Sequence, residues 1–202
     1  MESDASTSAA QPASPATKSV LRDRLLSRRQ ALAPVERTRR SQAVIQRLEV
    51  LPQFAAALHV AAYVPLLGEV DVLPVLSDAR LENKRVYLPR LLADGRLEFA
   101  VYHPTELVKG PRGVMQPAPE LPAVPVETLD FLVVPGLGFD RRGHRLGLGA
   151  GYYDKTLAGL PQRPFCAGVG YDFQLVDALP TDEWDIPLDA VVTERATILI
   201  GR

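Results

Sequence analysis

Two spacings of hydrophobic residues alternate along the chain. Residues 18–32 place Val20, Leu21, Leu25 and Leu32 at helical intervals, and a second helix is predicted behind Pro34, with Val44, Ile45 and Leu48 as its buried stripe. An apolar segment over 54–58 leads into a strand over 59–64 that stops at Pro65. Val70, Leu73, Val75 and Leu76 then predict another helix. Further strands are expected at 85–89, 97–102, 131–134 and 165–170, with two short ones at 188–193 and 197–200. Residues 110–126 are dense in proline and read as an extended wrap, residues 152–160 as a helix stopped by Pro161, and residues 182–187 as a polar loop. Residues 172–179 fit neither period. Strands alternating with helices predict an α/β fold whose mostly parallel sheet is covered on both faces, with ligands beyond the carboxyl ends of its strands.

Composition narrows the partners. A chain of 202 residues with 47% hydrophobic content can bury one sizeable core, so residues 18–202 are expected to form a single domain. Residues 1–17 are rich in Ala, Ser, Thr and Pro and contain no aromatic ring, which predicts a disordered tail. The formal net charge of −1 argues against nucleic acid or an anionic membrane as the main partner, and no apolar run approaches the ~20 residues that span a bilayer. The tail has neither an apolar signal core nor an arginine, so a cytoplasmic protein is expected. Cys166, the chain's single cysteine, lies in a strand-like run and reads as a buried, inert thiol. Trp184 reads as a packing residue and His103 has no assigned role.

Candidate chemistry concentrates between 131 and 154. A buried strand stops at Pro135-Gly136. A loop follows carrying Gly143, Gly147, Gly149 and Gly151, with Arg141 and Arg142 just before them and Arg145 among them, and then a helical start at Tyr152-Tyr153-Asp154. Glycines let the backbone approach an anion, a helix start offers unpaired N–H groups, and arginine adds a fork of donors. A plain flexible turn needs fewer glycines. The spacing fits neither the P-loop nor the dinucleotide fingerprint. Lys18 and Arg22 share a helix face one turn apart, which a solvated basic face also explains. Glu69 and Asp154 each suit the positive end of a helix as well as a ligand. Asp154 and Asp189 are candidates for magnesium on a nucleotide, which takes one or two carboxylates besides phosphate and water. No Gly-x-Ser-x-Gly elbow or helical pair of histidines is present, and His59, His103 and His144 are scattered.

The run Pro135-Gly136-Leu137-Gly138-Phe139-Asp140 followed by Gly143-His144-Arg145-Leu146-Gly147-Leu148-Gly149-Ala150-Gly151-Tyr152-Tyr153-Asp154 resembles the signature of the 5-formyltetrahydrofolate cyclo-ligase family, over roughly residues 18–195. The resemblance implies a three-layer α/β/α fold of the isomerase and CoA-transferase-like kind. It also implies ATP- and magnesium-dependent closure of 5-formyltetrahydrofolate to 5,10-methenyltetrahydrofolate. By the same resemblance Lys18, Arg22, Gly143, Arg145, Gly147, Gly149, Ala150, Gly151, Tyr152 and Tyr153 bind ATP, with Arg145 and Lys18 catalytic. Val64, Glu69 and Tyr152 bind the folate, and Asp154 and Asp189 hold magnesium. The expected partners are the folate and ATP, with no nucleic acid and no membrane, for a monomer. Gln116 and Trp184 depart from the family's usual glutamate and histidine, and Ala150 offers only a backbone N–H. A non-catalytic relative binding nucleotide, folate or RNA, and a phosphosugar isomerase, are the alternatives.

Overall fold

The computed structural model describes residues 15–77 and 84–201. Its helices are α1 (Pro15–Gln30), α2 (Pro34–Glu49), α3 (Pro52–Ala56), α4 (Leu73–Ser77) and α5 (Tyr152–Leu157). The strands are β1 (His59–Ala61), β2 (Arg85–Leu91), β3 (Leu97–Val101), β4 (Leu107–Lys109), β5 (Met115–Pro117), β6 (Ala123–Val124), β7 (Phe131–Pro135), β8 (Gly138–Asp140), β9 (Arg145–Leu146), β10 (Phe165–Val169), β11 (Leu175–Val176), β12 (Ala190–Val192) and β13 (Thr197–Leu199). Strands β2, β1, β7, β10 and β12 lie side by side in parallel, and antiparallel strands extend both edges. Chain order reverses direction between β1 and β7, where a doubly wound sheet opens a crevice.

Strand β7 shows why the sequence pattern was readable. It is paired with β1 and β10, and Phe131, Leu132, Val133 and Val134 are all fully buried. A strand covered on both faces becomes a continuous apolar run instead of an alternating one. Phe131 and Val133 join a core with Val44 and Leu48 of α2, Phe54 of α3 and Val75 of α4. Leu132 and Val134 join the opposite core with Leu157 of α5, Phe99 of β3 and Phe139 of β8. Each such side chain contributes about 1.5–3 kcal/mol by leaving water.

Several elements differ from the sequence expectation. Helix α1 begins at Pro15, inside the expected tail of residues 1–17, of which 1–14 lie outside the described residues. Its inner stripe is Leu21, Leu25 and Arg29, with Leu32 packing just beyond its end, while Val20 is exposed. The segment at 54–58 starts with a short helix, because Pro52 opens α3. The helix expected over 152–160 stops at Leu157: Ala158 is extended and Gly159 takes φ +72°. The proline-rich wrap folds back as the hairpin β4–β5 before β6 joins the sheet edge. The stretch 135–151 is not one loop, since β8 and β9 pair as a hairpin and β11 adds to it in parallel. Among the described residues no helix is long and apolar enough to cross a membrane.

Candidate active site

Two cavities share the glycine loop, and the first of them opens beyond the carboxyl ends of β1 and β7. The first, of about 450 Å³, has walls from Tyr63, Val64 and Glu69 after β1, Pro135 to Leu137 after β7, and Pro111, Val114, Met115 and Gln116 of the β4–β5 hairpin. It is mostly apolar. The second, of about 520 Å³, is lined by Lys18 and Arg22 of α1, by Lys155 and Ala158, and by Asp182, Trp184 and Asp185. Arg145, Gly147, Gly149, Ala150, Gly151 and Asp154 line both, so the chambers meet there. Both volumes fall in the range of small-molecule sites.

The glycine loop has room for an anion. A Cβ added at Gly147, Gly149 or Gly151 would meet nothing within 4 Å. Gly149 and Gly151 take φ +103° and +66°, which explains glycine there. Gly147 has neither a positive φ nor a crowding neighbour, so its missing side chain serves the open space itself. Arg22 Nε donates to Gly147 O at 2.9 Å and ties the loop to α1. Because α5 has only six residues, the cradle is made chiefly by the loop and less by a helix terminus.

Charged groups surround the junction. Arg145 donates through Nη2 to Asp154 Oδ1 at 2.6 Å and through Nη1 to Ile186 O at 3.0 Å, two of its five N–H donors. Asp154 Oδ1 also accepts the Ile186 N–H at 3.1 Å. Lys18 Nζ lies 2.6 Å from Asp182 and 3.2 Å from Asp185. Partial burial works against the Lys18 ammonium, but the hydrogen bonds and charges of the two aspartates outweigh it and raise its pKa. Tyr152 and Tyr153 line the apolar chamber, and burial pushes the Tyr153 hydroxyl above its ordinary pKa.

Glu69 does not cap a helix, since α4 begins only at Leu73. It sits in a turn where Oε2 accepts the Leu66 N–H at 3.0 Å and Oε1 lies 3.6 Å from Arg29 Nη1. Arg29 is fully buried and donates to Leu67 O and to Gly136 O, both at 3.1 Å, joining the first chamber's two walls. Its Nη2 has no hydrogen-bond partner. Burial dominates at both ends of the pair, raising the Glu69 pKa and lowering that of Arg29, with each charge opposing the other's shift.

Among the expected site residues, Lys18, Arg22, Val64, Glu69, Arg145, Gly147, Gly149, Ala150, Gly151, Tyr152, Tyr153 and Asp154 are brought together in the two chambers. Two are not. Gly143 forms the β8–β9 turn, with φ +86° and a notional Cβ 2.7 Å from Leu188 O, so its glycine answers a packing need. Asp189 is 2% exposed, lines neither chamber, and accepts both Nη atoms of Arg163 at 2.9 and 3.0 Å as well as the Cys166 N–H at 2.8 Å. Cys166 is buried as expected, its thiol pushed up to about 11 by desolvation. Trp184 is no packing residue, being 68% exposed. The sequence reading missed Arg29, Asp182 and Asp185. Arg29 was findable as a cation between Leu25 and Leu32 on the apolar stripe; the two aspartates carry no local signal.

The fold is that of an α/β protein with a two-chamber candidate site near the switch point of its sheet. The chain belongs to the 5-formyltetrahydrofolate cyclo-ligase family, whose sequence profile matches residues 14–194. It is 39% identical to the 5-formyltetrahydrofolate cyclo-ligase of Escherichia coli strain K12 over 171 residues, covering 82% of this chain and 94% of the relative. The solved structure of Aquifex aeolicus 5,10-methenyltetrahydrofolate synthetase superposes with a TM-score of 0.80 at 39% identity, covering 92% of this chain and 94% of that one. The Mycoplasma pneumoniae synthetase gives a TM-score of 0.72 at 26% identity, with 88% and 98% covered.

Proposed function

We propose that the protein converts 5-formyltetrahydrofolate to 5,10-methenyltetrahydrofolate, with ATP cleaved to ADP and phosphate in the presence of magnesium. Support comes from one observation above all: an apolar chamber and a cation-lined chamber share Arg145, Asp154 and the glycine loop. The apolar chamber suits a pteridine, whose paired N–H donors match the two oxygens of Glu69, with Val64 and Tyr152 beside them. The polar chamber suits a triphosphate held by Lys18, Arg22, Arg145 and the backbone of residues 147–151, including the Ala150 N–H.

In this reading the formyl oxygen attacks the γ-phosphorus and ADP leaves, which turns a poor oxide leaving group into a phosphate. The anilino nitrogen then adds to the formyl carbon and loses its proton, and phosphate departs with the former formyl oxygen. The protein's part is alignment and charge neutralisation. Arg145 places a fixed cation at the junction beside the transferred group, Lys18 adds one within the polar chamber, and the apolar walls exclude water from the folate. Among the described residues no cluster of three His, Cys, Asp or Glu is placed to hold a metal by itself. Asp154 at the junction would hold magnesium, and the metal would supply positive charge to offset that of the nucleotide's phosphates.

The test is to mix protein, magnesium, ATP and 5-formyltetrahydrofolate and follow the methenyl chromophore. Absorbance should rise only when all components are present, with one ADP per product. ADP release without folate and without product identifies a plain ATPase instead.

A further inference from the structure

Trp184 is the chain's single tryptophan, and it stands 68% exposed on the wall of the polar chamber. It lines that chamber alone, and its indole is the chamber's one aromatic ring among the described residues. The segment carrying it is fastened rather than loose. Lys18 holds Asp182 and Asp185 at 2.6 and 3.2 Å, the Asp182 N–H donates to Asp185 Oδ2 at 2.8 Å, and Ile186 is clasped by Arg145 at 3.0 Å and Asp154 at 3.1 Å. The side chains that fix this segment are those assigned above to phosphate and magnesium.

Position within the chamber decides what the indole meets. Arg145 and Asp154 mark the end shared with the apolar chamber, where a γ-phosphate must lie to reach the folate. Of the groups that line only the polar chamber, Lys18 and Arg22 are assigned to phosphate and Asp182 and Asp185 engage Lys18, which leaves Lys155, Ala158 and Trp184 besides the buried Leu146. A nucleotide entering phosphate-first leaves its base among these residues. An aromatic face offers a base stacking without reading its hydrogen-bonding edge. We propose that Trp184 is the stacking platform for the nucleobase of ATP, an assignment that rests on the ATP-dependent reading above. Base selectivity then follows stacking strength, so other purine triphosphates replace ATP better than pyrimidine ones do.

The lone tryptophan makes the test direct. Intrinsic fluorescence is titrated with magnesium-ATP and with magnesium-tripolyphosphate, which brings the phosphates without a base. Quenching by ATP and none by tripolyphosphate is expected. Trp184→Ala should raise the KM for ATP about tenfold while leaving the tripolyphosphate inhibition constant and the folate KM unchanged, and Trp184→Phe should recover most of the loss. Equal quenching by both ligands, or an unaltered ATP KM in the alanine variant, overturns the platform. Methenyl formation by the wild type without ATP quenching overturns it alone; no product and no quenching overturn the ATP-dependent reading with it.

Discussion

Glu69 and Arg29 face each other across 3.6 Å in a region that disfavours both charges. Protonated, Glu69 loses one of the two acceptor oxygens a pteridine needs. Because burial raises its pKa, the KM for 5-formyltetrahydrofolate should climb on acidification at a higher pH than an exposed glutamate would give. Arg29→Met removes the opposing cation and should move that climb to still higher pH, alongside a loss of stability from Leu67 O and Gly136 O. Measuring KM between about pH 5 and about pH 8 in both proteins checks the order. At the junction, Arg145→Ala should lower turnover at least tenfold, about 1.4 kcal/mol of transition-state stabilisation, with the fold retained; unchanged turnover removes Arg145 from the mechanism. Arg145 stood out inside a glycine run, whereas Glu69 read equally as a helix-end charge and took its folate role only from the family resemblance. Arg29 could be picked out by its place on the apolar stripe, but its partners, 38 and 107 residues away, carry no local signal.

Asp140 shows what the glycine-rich segment needs structurally. Fully buried in β8, it accepts N–H groups from Arg142, His144 and Leu179 at 2.9, 3.0 and 3.1 Å, and the Arg142 guanidinium at 2.9 Å. Burial alone would raise its pKa, but these donors outweigh it and hold the carboxyl below the usual range. A depressed folded pKa means stability that is present above the unfolded value of about 3.9 and is lost as pH falls through the folded one. Asp140→Asn should therefore flatten the acid limb of a melting-temperature profile. Asp189 makes a parallel prediction. Asp189→Asn leaves Arg163 unpaired and should cost about 3–5 kcal/mol in unfolding. It should leave the magnesium half-saturation of turnover untouched, whereas Asp154→Asn raises it; the reverse pattern would restore Asp189 as a metal ligand. The helices α1 and α2 were legible from their period, and β7 and β10 as short apolar runs. The hairpins β4–β5 and β8–β9 were not, being two or three residues to a strand and dependent on partners across the turn.

At the scale of the whole molecule, the site is a consequence of strand order. The parallel sheet was legible from alternating strands and helices, but the reversal between β1 and β7 is set by long-range pairing that no window of sequence contains. That reversal opens the crevice, and distant segments wall it: α1 with Lys18 and Arg22, the hairpin near Gln116, and the loop around Trp184. Two chambers joined at one arginine and one aspartate make sense if a phosphoryl group passes between them. The most direct measurement follows the oxygen. With the formyl group of 5-formyltetrahydrofolate labelled with heavy oxygen, a single turnover with magnesium-ATP should deliver the label to inorganic phosphate. Recovery of the label in water, with unlabelled phosphate, would contradict phosphoryl transfer to the folate.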